Sequence, residues 1–181
     1  MNTVTLSQAY ILRQMTAEDA PQILALYQTN PQYFDAMLSE PSTESVMHDL
    51  NALPVGMTAE AKHYLGVYDG SSLIAVLDLI DGYPVKGTAF IGLFMVNASV
   101  QGRGIGTRIV QECLKALSQE GYSEARLGFV EGNRQSEAFW LKNGFAPTGV
   151  RSRRDGYTIV IASRSLLKET DTMPEDARGV S

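Results

Sequence analysis

Three glycines, Gly102, Gly104 and Gly106, fall within five residues of the stretch "VNASVQGRGIGTR", which runs from Val96 to Arg108. An apolar run precedes them and a helix-period pattern follows. Successive backbone N–H groups at such a strand-to-helix turn form a concave donor array, and the helix dipole favours negative charge there. Glycine lets an anion come close because no Cβ stands in the way. The chemistry on offer is therefore anion binding. Two nucleotide-binding turns do not fit. A phosphate loop ends in Gly-Lys-Ser/Thr, whereas Gly106-Thr107-Arg108 has no lysine. A dinucleotide fingerprint needs a further glycine at 107, where threonine stands.

The bulk of the chain narrows the choice of anion. Its 181 residues are 44% apolar with a formal net charge of −5, which fits one domain with a real core. It presents no basic face for following a phosphodiester backbone, so nucleic acid is not an expected partner. The small cluster Arg151-Ser152-Arg153-Arg154 reads as a solvated turn. Cys113 is the one cysteine, so no intramolecular disulfide can form and the cytoplasm is the default setting. No apolar run approaches the roughly 18 residues needed to span a bilayer. The N-terminus lacks the basic flank and apolar core of a secretory signal. We expect a soluble, cytoplasmic protein with no membrane partner and no metal.

The elements that must position the glycine turn follow from periodicity. Residues 10–15 read as a strand. Thr16 and Asp19 can cap a helix that carries Ile23, Leu24 and Tyr27 on one face and breaks at Asn30-Pro31. A second helix is expected over 43–53, ended by Pro54 and Gly56. Strands at 64–68 and 73–80 join through Asp69-Gly70, and a third at 89–96 follows Asp81-Gly82-Tyr83-Pro84, giving an antiparallel meander. From Gly104 the period changes. Ile105, Ile109, Val110, Cys113, Leu114 and Leu117 recur at helical spacing up to Gly121, and Cys113 on that face reads as a core thiol. A strand at 125–130 and a helix at 133–143 follow, the helix closed by Gly144. Strands at 145–150 and 157–162 then pair around Asp155-Gly156. The expected organisation is an N-terminal extension (1–9), a single domain (10–166) and a mobile C-terminal tail (167–181).

Gln101-Gly102-Arg103-Gly104-Ile105-Gly106 resembles the Gln/Arg-x-x-Gly-x-Gly pyrophosphate loop of the GNAT superfamily of N-acetyltransferases. Val96 ends a strand five residues upstream, as the family's strand-loop-helix unit requires. Downstream, "NRQSEAFWLKNGF" (Asn133 to Phe145) resembles the family's second signature, an Asn followed seven places on by an aromatic residue, then Gly-Phe. The N-terminal "LRQMTAEDA" is similar to the family's opening strand and helix, so the resemblance runs from about Tyr10 to Ser163. It implies an α+β (three-layer α/β) fold, with a central mixed, mostly antiparallel sheet of about six or seven strands flanked by about four helices. It also implies acetyl-CoA as co-substrate. The backbone of Gln101, Gly102, Arg103, Gly104, Ile105 and Gly106, with Thr107 beside it, would take the pyrophosphate. Main-chain groups of Phe94, Met95 and Val96 would pair with the pantetheine arm like an added strand. Asn133 would bond the pantetheine, cap its own helix, or both. Ser136, where many relatives have alanine, would face the CoA. Trp140 would pack beside the thioester or the CoA arm, or in the core.

Acetyl transfer to an amine needs a neutral nucleophile drawn from an ammonium of pKa roughly 10. It also needs a donor for the developing oxyanion, here a backbone N–H near Val96 where strands splay, and a departing thiolate. In much of the family a tyrosine seven places after the signature Asn acts as the acid. Trp140 stands there, and an indole N–H is no useful acid. A thiol of pKa about 8.5 is nonetheless a fair leaving group without one. Relatives that act on protein N-termini often carry a glutamate five residues before the Asn, where this chain has Gly128. The base is left among Asp81, Tyr83, Glu131 and His63. Each has a plainer reading: Asp81 as a turn former, Tyr83 as a turn aromatic, Glu131 as a helix-start charge, His63 as a strand-edge polar residue. The acceptor pocket is expected from 27–54, with Tyr33, Phe34 and Met37, and from the Asp81 to Pro84 turn.

The resemblance thus implies an N-acetyltransferase that moves an acetyl group from acetyl-CoA to a primary amine by direct transfer through a ternary complex. The expected acceptor is a small-molecule or amino-acid-like amine. A protein or peptide acceptor is the alternative within the class, disfavoured by Gly128. A non-catalytic acyl-CoA-binding module is the alternative outside it, prompted by the missing tyrosine and glutamate. Homodimers are common among relatives, and a homodimer is compatible with this sequence without being fixed by it.

Overall fold

Alternating and continuous apolar runs separated by Gly/Asp turns build a sheet here, and the helix-period segments cover both of its faces. The computed structural model describes residues 1–3 and 6–167. In chain order the elements are β1 (Ile11–Gln14), α1 (Ala20–Gln28), α2 (Pro31–Asp35), α3 (Thr43–Asn51), β2 (Lys62–Asp69), β3 (Ser72–Asp81), β4 (Thr88–Val96), α4 (Ile105–Gln119), β5 (Glu124–Val130), α5 (Arg134–Lys142), β6 (Ala146–Arg153) and β7 (Thr158–Ser165). The seven strands lie in the order β1-β2-β3-β4-β5-β7-β6. Only β4 and β5 run parallel; the other neighbours are antiparallel. This is the expected mixed, mostly antiparallel sheet between two helical layers.

One expectation needs correction. Asn30-Pro31 does end α1, but it also opens α2, with Pro31 at the first helical position, where its missing N–H costs nothing. The described residues hold five α-helices, α2 being a short one, in keeping with the expected flanking by about four. The second expected helix also stops at Asn51, two residues early, and β2 starts two residues early at Lys62. The expected tail falls almost wholly on 168–181, outside the described residues.

Two cores sit on opposite faces of the sheet. On one face, Val110, Cys113, Leu114 and Leu117 of α4 pack on Leu65, Leu77, Leu79 and Leu127. On the other, Ile23, Leu26 and Tyr27 of α1 and Val46 of α3 pack on Tyr64, Val76 and Leu93. Each fully buried aliphatic side chain of this kind stabilises by about 1.5–3 kcal/mol relative to exposure. The N-terminal segment belongs to the first core. Leu6 is completely buried there, and Glu112 of α4 accepts from the Ser7 hydroxyl and from the Gln8 and Ala9 amides at 2.9 and 3.3 Å. Cys113 is a core thiol, as its helical spacing suggests, and burial pushes it up to about 12.

The alternation of β3 decides what reaches the functional site. Leu77 and Leu79 face α4, whereas Val76, Asp78 and Ile80 face the α1/α3 layer. Residue 81 then returns to the α4 side.

Candidate active site

The parallel pair β4–β5 opens like a V. Its register runs from Thr88↔Glu124 to Ile91↔Leu127 and stops. From there β5 continues against β7 alone, so among the described residues no strand pairs with the β5-facing edge of β4 at 92–96. The strands thus part at Gly92, earlier than the neighbourhood of Val96 expected from sequence. Gly92 is also the extra residue of a bulge, since Asp78 pairs with Leu93 and Leu79 with Ile91.

The glycine turn stands beyond the end of β4. Gly102 and Gly104 have φ of +74° and +78°, which side-chain-bearing residues rarely adopt. A Cβ at either would meet nothing within 4 Å, so the loop presents open space on that side. The first bond of α4 runs from the Arg108 amide to the Gly104 carbonyl at 2.9 Å, which leaves the Ile105, Gly106 and Thr107 amides without an acceptor inside the helix. Gln101 fixes the loop to the strand by donating to the Val96 carbonyl and to Asn30, both at 2.8 Å. The Asn30 side chain donates to the same carbonyl at 3.1 Å. Gly106 serves packing: its Cβ would lie 3.3 Å from Val96 and 3.4 Å from Phe139. The loop thus sets a row of amides beside open space.

Across the V, Phe139 of α5 stacks on Phe94 of β4, with ring centroids 5.8 Å apart. Asn133 caps α5 by accepting from the Ser136 amide at 3.1 Å. Trp140 is only 6% exposed and lies edge-on to Phe139 and Phe145, with centroids at 5.0 and 5.3 Å. It is a core residue of the α4 face.

A cleft of about 230 Å³ opens on the α1/α3 side of the bulge, against Gly92, Phe90 and Leu93 of β4. Its walls include Leu53, Pro54 and Ile80; Asp49, Asp78 and Tyr33 supply its side-chain polar groups. Asp78 lies at 9% side-chain exposure, and Lys62, at 6%, donates to both its oxygens at 3.0 and 2.9 Å. Burial pushes the Asp78 carboxyl up to about 6 against the opposing pull of Lys62. Burial also raises Asp49. Tyr27 gives its one hydroxyl proton to Asp49 at 2.7 Å, so Tyr64 is the donor in the 2.7 Å contact between the two phenols. Both phenols are held above their ordinary range, chiefly by burial. Elsewhere, Leu38 rests on the β6–β7 turn: a Cβ on Gly156 would stand 2.6 Å from its Cδ1.

The sequence candidates for the base are not gathered in this cleft. Asp81 sits on the α4 face, where it accepts from the Tyr122 hydroxyl at 2.7 Å and lies 3.6 Å from the Met1 ammonium. His63 shares that face, and burial and then the Met1 ammonium push its pKa down. Glu131 is half exposed on the β5–α5 loop and paired with Arg151 at 2.9 Å. Tyr83 comes nearest, stacked edge-on against the cleft-lining Phe90 at 5.3 Å. The space a Gly128 side chain would need is filled by Ile159, 2.6 Å from the Cβ position.

The residues that do line or support the cleft, Asp49, Lys62, Asp78 and Gly92, were missed in sequence, although two signals stood there. Asp78 interrupts the apolar run "LIAVLDLI", and Gly92 stands inside the strand "AFIGLFMV". A buried-strand carboxylate requires a partner, and a strand glycine signals a bulge or a close approach.

A strand pair that parts beneath an amide-lined helix start, with a carboxylate cleft at the parting point, is an arrangement suited to acyl-group transfer. The sequence profile of the acetyltransferase (GNAT) family matches residues 22–145, more than half of the chain, and the protein belongs to that family. Solved structures agree. An acetyltransferase from Thermus thermophilus is 25% identical, with a TM-score of 0.70 over 91% of this chain and 99% of its own. The ribosomal-protein-S18-alanine N-acetyltransferase from Escherichia coli shares the fold at 14% identity, with a TM-score of 0.64 over 91% and 99% of the two chains. The PaiA N-acetyltransferase from Thermoplasma acidophilum, solved in complex with coenzyme A, does so at 18% identity, with a TM-score of 0.61 over 87% and 99%. No curated protein matches the chain significantly. None of the described helices is long and apolar enough to cross a membrane.

Proposed function

We propose that this acyltransferase moves an acetyl group from acetyl-CoA to the primary amine of a small molecule, directly, in a ternary complex. The observation that carries the reading is the meeting point at Gly92. There β4 leaves β5, and there the Asp78 carboxylate lies against β4, so the donor groove and the acceptor cleft share one stretch of backbone.

Acetyl-CoA supplies the activated acyl carbon when bound, held by the amides of Gly102 to Thr107 and by the free edge of β4. The chain's own residues do the rest. The donor for oxyanion charge in this reading is a backbone amide of β4 at the Gly92 bulge, where the pairing with β5 ends. Asp78 accepts a proton from the amine. A carboxylate of pKa about 6 does not strip an ammonium of pKa roughly 10 in the ground state. The amine attacks as its small neutral fraction, the first proton having gone to solvent, and Asp78 takes the second proton as the new N–C bond forms and the nitrogen becomes acidic. Lys62 keeps the buried Asp78 ionised. Asp49, braced by Tyr27, orients the incoming ammonium. Trp140 donates no proton, and the thiolate leaves unaided.

A small acceptor is supported by the cleft's size. The filled space over Gly128 removes the glutamate position of relatives that act on protein N-termini.

Thiol release from acetyl-CoA over a panel of small amines tests the reading. Turnover with at least one amine is expected, together with a rise in thermal stability on adding acetyl-CoA. Thermal stabilisation without turnover, or turnover on peptides alone, refutes it.

A further inference from the structure

We infer that the acceptor is a small monocationic primary amine on an apolar body that carries no carboxylate; the inference rests on the acetyl-transfer reading above. Three features of the cleft lead there. The first is its charge. No Arg, Lys or His lines it. Lys62 is buried and donates to both oxygens of Asp78, so it has little left to offer a substrate anion. With Asp78 and Asp49 negative and Lys62 positive, the floor carries one net negative charge, which matches a single ammonium. An α-carboxylate beside that ammonium would be brought against Asp49 and Asp78 with no cation to receive it, and like charges placed together are a strong device for rejecting a ligand.

The second feature is the wall chemistry. Leu53, Pro54, Ile80, Phe90 and Leu93 surround the two carboxylates. Such a wall rewards an apolar body and, beyond the two carboxylates that hold the ammonium, offers a further polar group only the Tyr33 phenol. The third is size. At about 230 Å³ the cleft falls below the roughly 300–1,000 Å³ of drug-sized sites, which limits the body to one ring or a short alkyl chain. An amino acid is thereby excluded, although it is also a small primary amine.

Matched pairs that differ by one carboxylate decide the matter. The wild-type protein with acetyl-CoA is assayed for thiol release on 2-phenylethylamine and L-phenylalanine, on pentylamine and norleucine, and on L-phenylalaninamide. We expect each amine to exceed its carboxylated twin by at least about 30-fold in kcat/KM. Phenylalaninamide, which keeps the bulk but lacks the anion, should recover most of the loss. Asp49→Asn should narrow the gap by about tenfold. Equal or better use of the amino acids overturns the inference while leaving acetyl transfer intact. If none of the compounds releases thiol, the transfer reading fails, and amine binding is then read by thermal shift. Stabilisation by the amines and not by their carboxylated twins upholds the charge and wall argument; equal stabilisation by both, or by neither, overturns it.

Discussion

A methyl group placed on Gly92 would stand 2.4 Å from Oδ2 of Asp78 and 3.2 Å from its Cγ. The carboxylate therefore rests directly on the β4 backbone at its bulge. From the other side Lys62 holds it at 2.9 Å. Residue 92 has to be glycine for Asp78 to keep this place against β4 while paired with Lys62.

Gly92→Ala should therefore displace the carboxylate rather than the strand. We expect a stability loss of about 1–3 kcal/mol from overpacking. Turnover should fall at least about tenfold, while acetyl-CoA affinity changes by less than about threefold. Urea unfolding and steady-state kinetics on the same preparation check this, and unchanged turnover would detach Asp78 from the reaction.

The rate should also depend on pH through Asp78. Its carboxyl is raised from 3.8 to about 6, so the proton-accepting form is lost as pH falls through about 6, and kcat/KM should decline there. Asp78→Asn should cost about 10²–10⁴ in kcat and erase that acid limb. The linkage has its own sign. A carboxyl raised in the folded state stabilises most when protonated, and that contribution disappears as pH rises through about 6. Equilibrium unfolding of the wild type from pH 4 to 7 should show this decline.

At the donor turn, Gly104 combines a φ of +78° with open space around its Cβ position. Gly104→Val adds backbone strain of about 1–2 kcal/mol and projects methyls into the amide cradle. Loss of acetyl-CoA-induced thermal stabilisation is expected in a protein that remains folded. Undiminished binding would show that the pyrophosphate lies elsewhere.

Trp140 tests whether the aromatic of the second signature takes part in proton transfer here. Buried among Phe94, Phe139 and Phe145, it should behave as packing. Trp140→Phe should lower stability by about 1–3 kcal/mol through lost contacts and leave kcat within about threefold. A hundredfold loss of kcat in a stable variant would give the indole a role that its burial does not predict.

Glu112 anchors the N-terminal segment. Burial pushes its carboxyl up, and hydrogen bonds from Ser7, Arg108 and the Gln8 and Ala9 amides more than offset this, holding it at about 2. A depressed carboxylate contributes stability that is full above its ordinary value of about 4.5 and vanishes as pH falls through 2. Glu112→Gln should therefore lose about 2 kcal/mol at pH 7, less than the full shift because solvent screens part of the site. The difference from wild type, measured in urea, should shrink steadily below pH 4.5. A pH-independent gap would point to packing instead.

Much of this molecule is local and was legible as such. The glycine turn, the caps at Thr16 and Asn133, the Asp-Gly hairpin and the helical stripe ending in Cys113 each depend on residues near one another in the chain. Their backbone preferences and periods are carried in the sequence itself. The short helix at Pro31 is a local miss of the same kind, since proline both ends a helix and begins the next.

The acceptor side is different, because its parts come from Asp49 in α3, Lys62 in β2, Asp78 in β3 and Gly92 in β4. They meet only through strand register and helix docking. The base shows this most clearly. Asp81 and Asp78 stand on one strand three residues apart, and the two-residue period sends one to Tyr122 on the α4 face and the other to the bulge at Gly92. The sequence alone determined the elements and the glycine turn proposed for the diphosphate, because those are written in neighbouring residues. Tertiary structure decided which carboxylate reaches the bulge at Gly92, and that its one cationic partner, Lys62, stands behind it rather than in the cleft wall, because those depend on which face of the sheet each side chain takes.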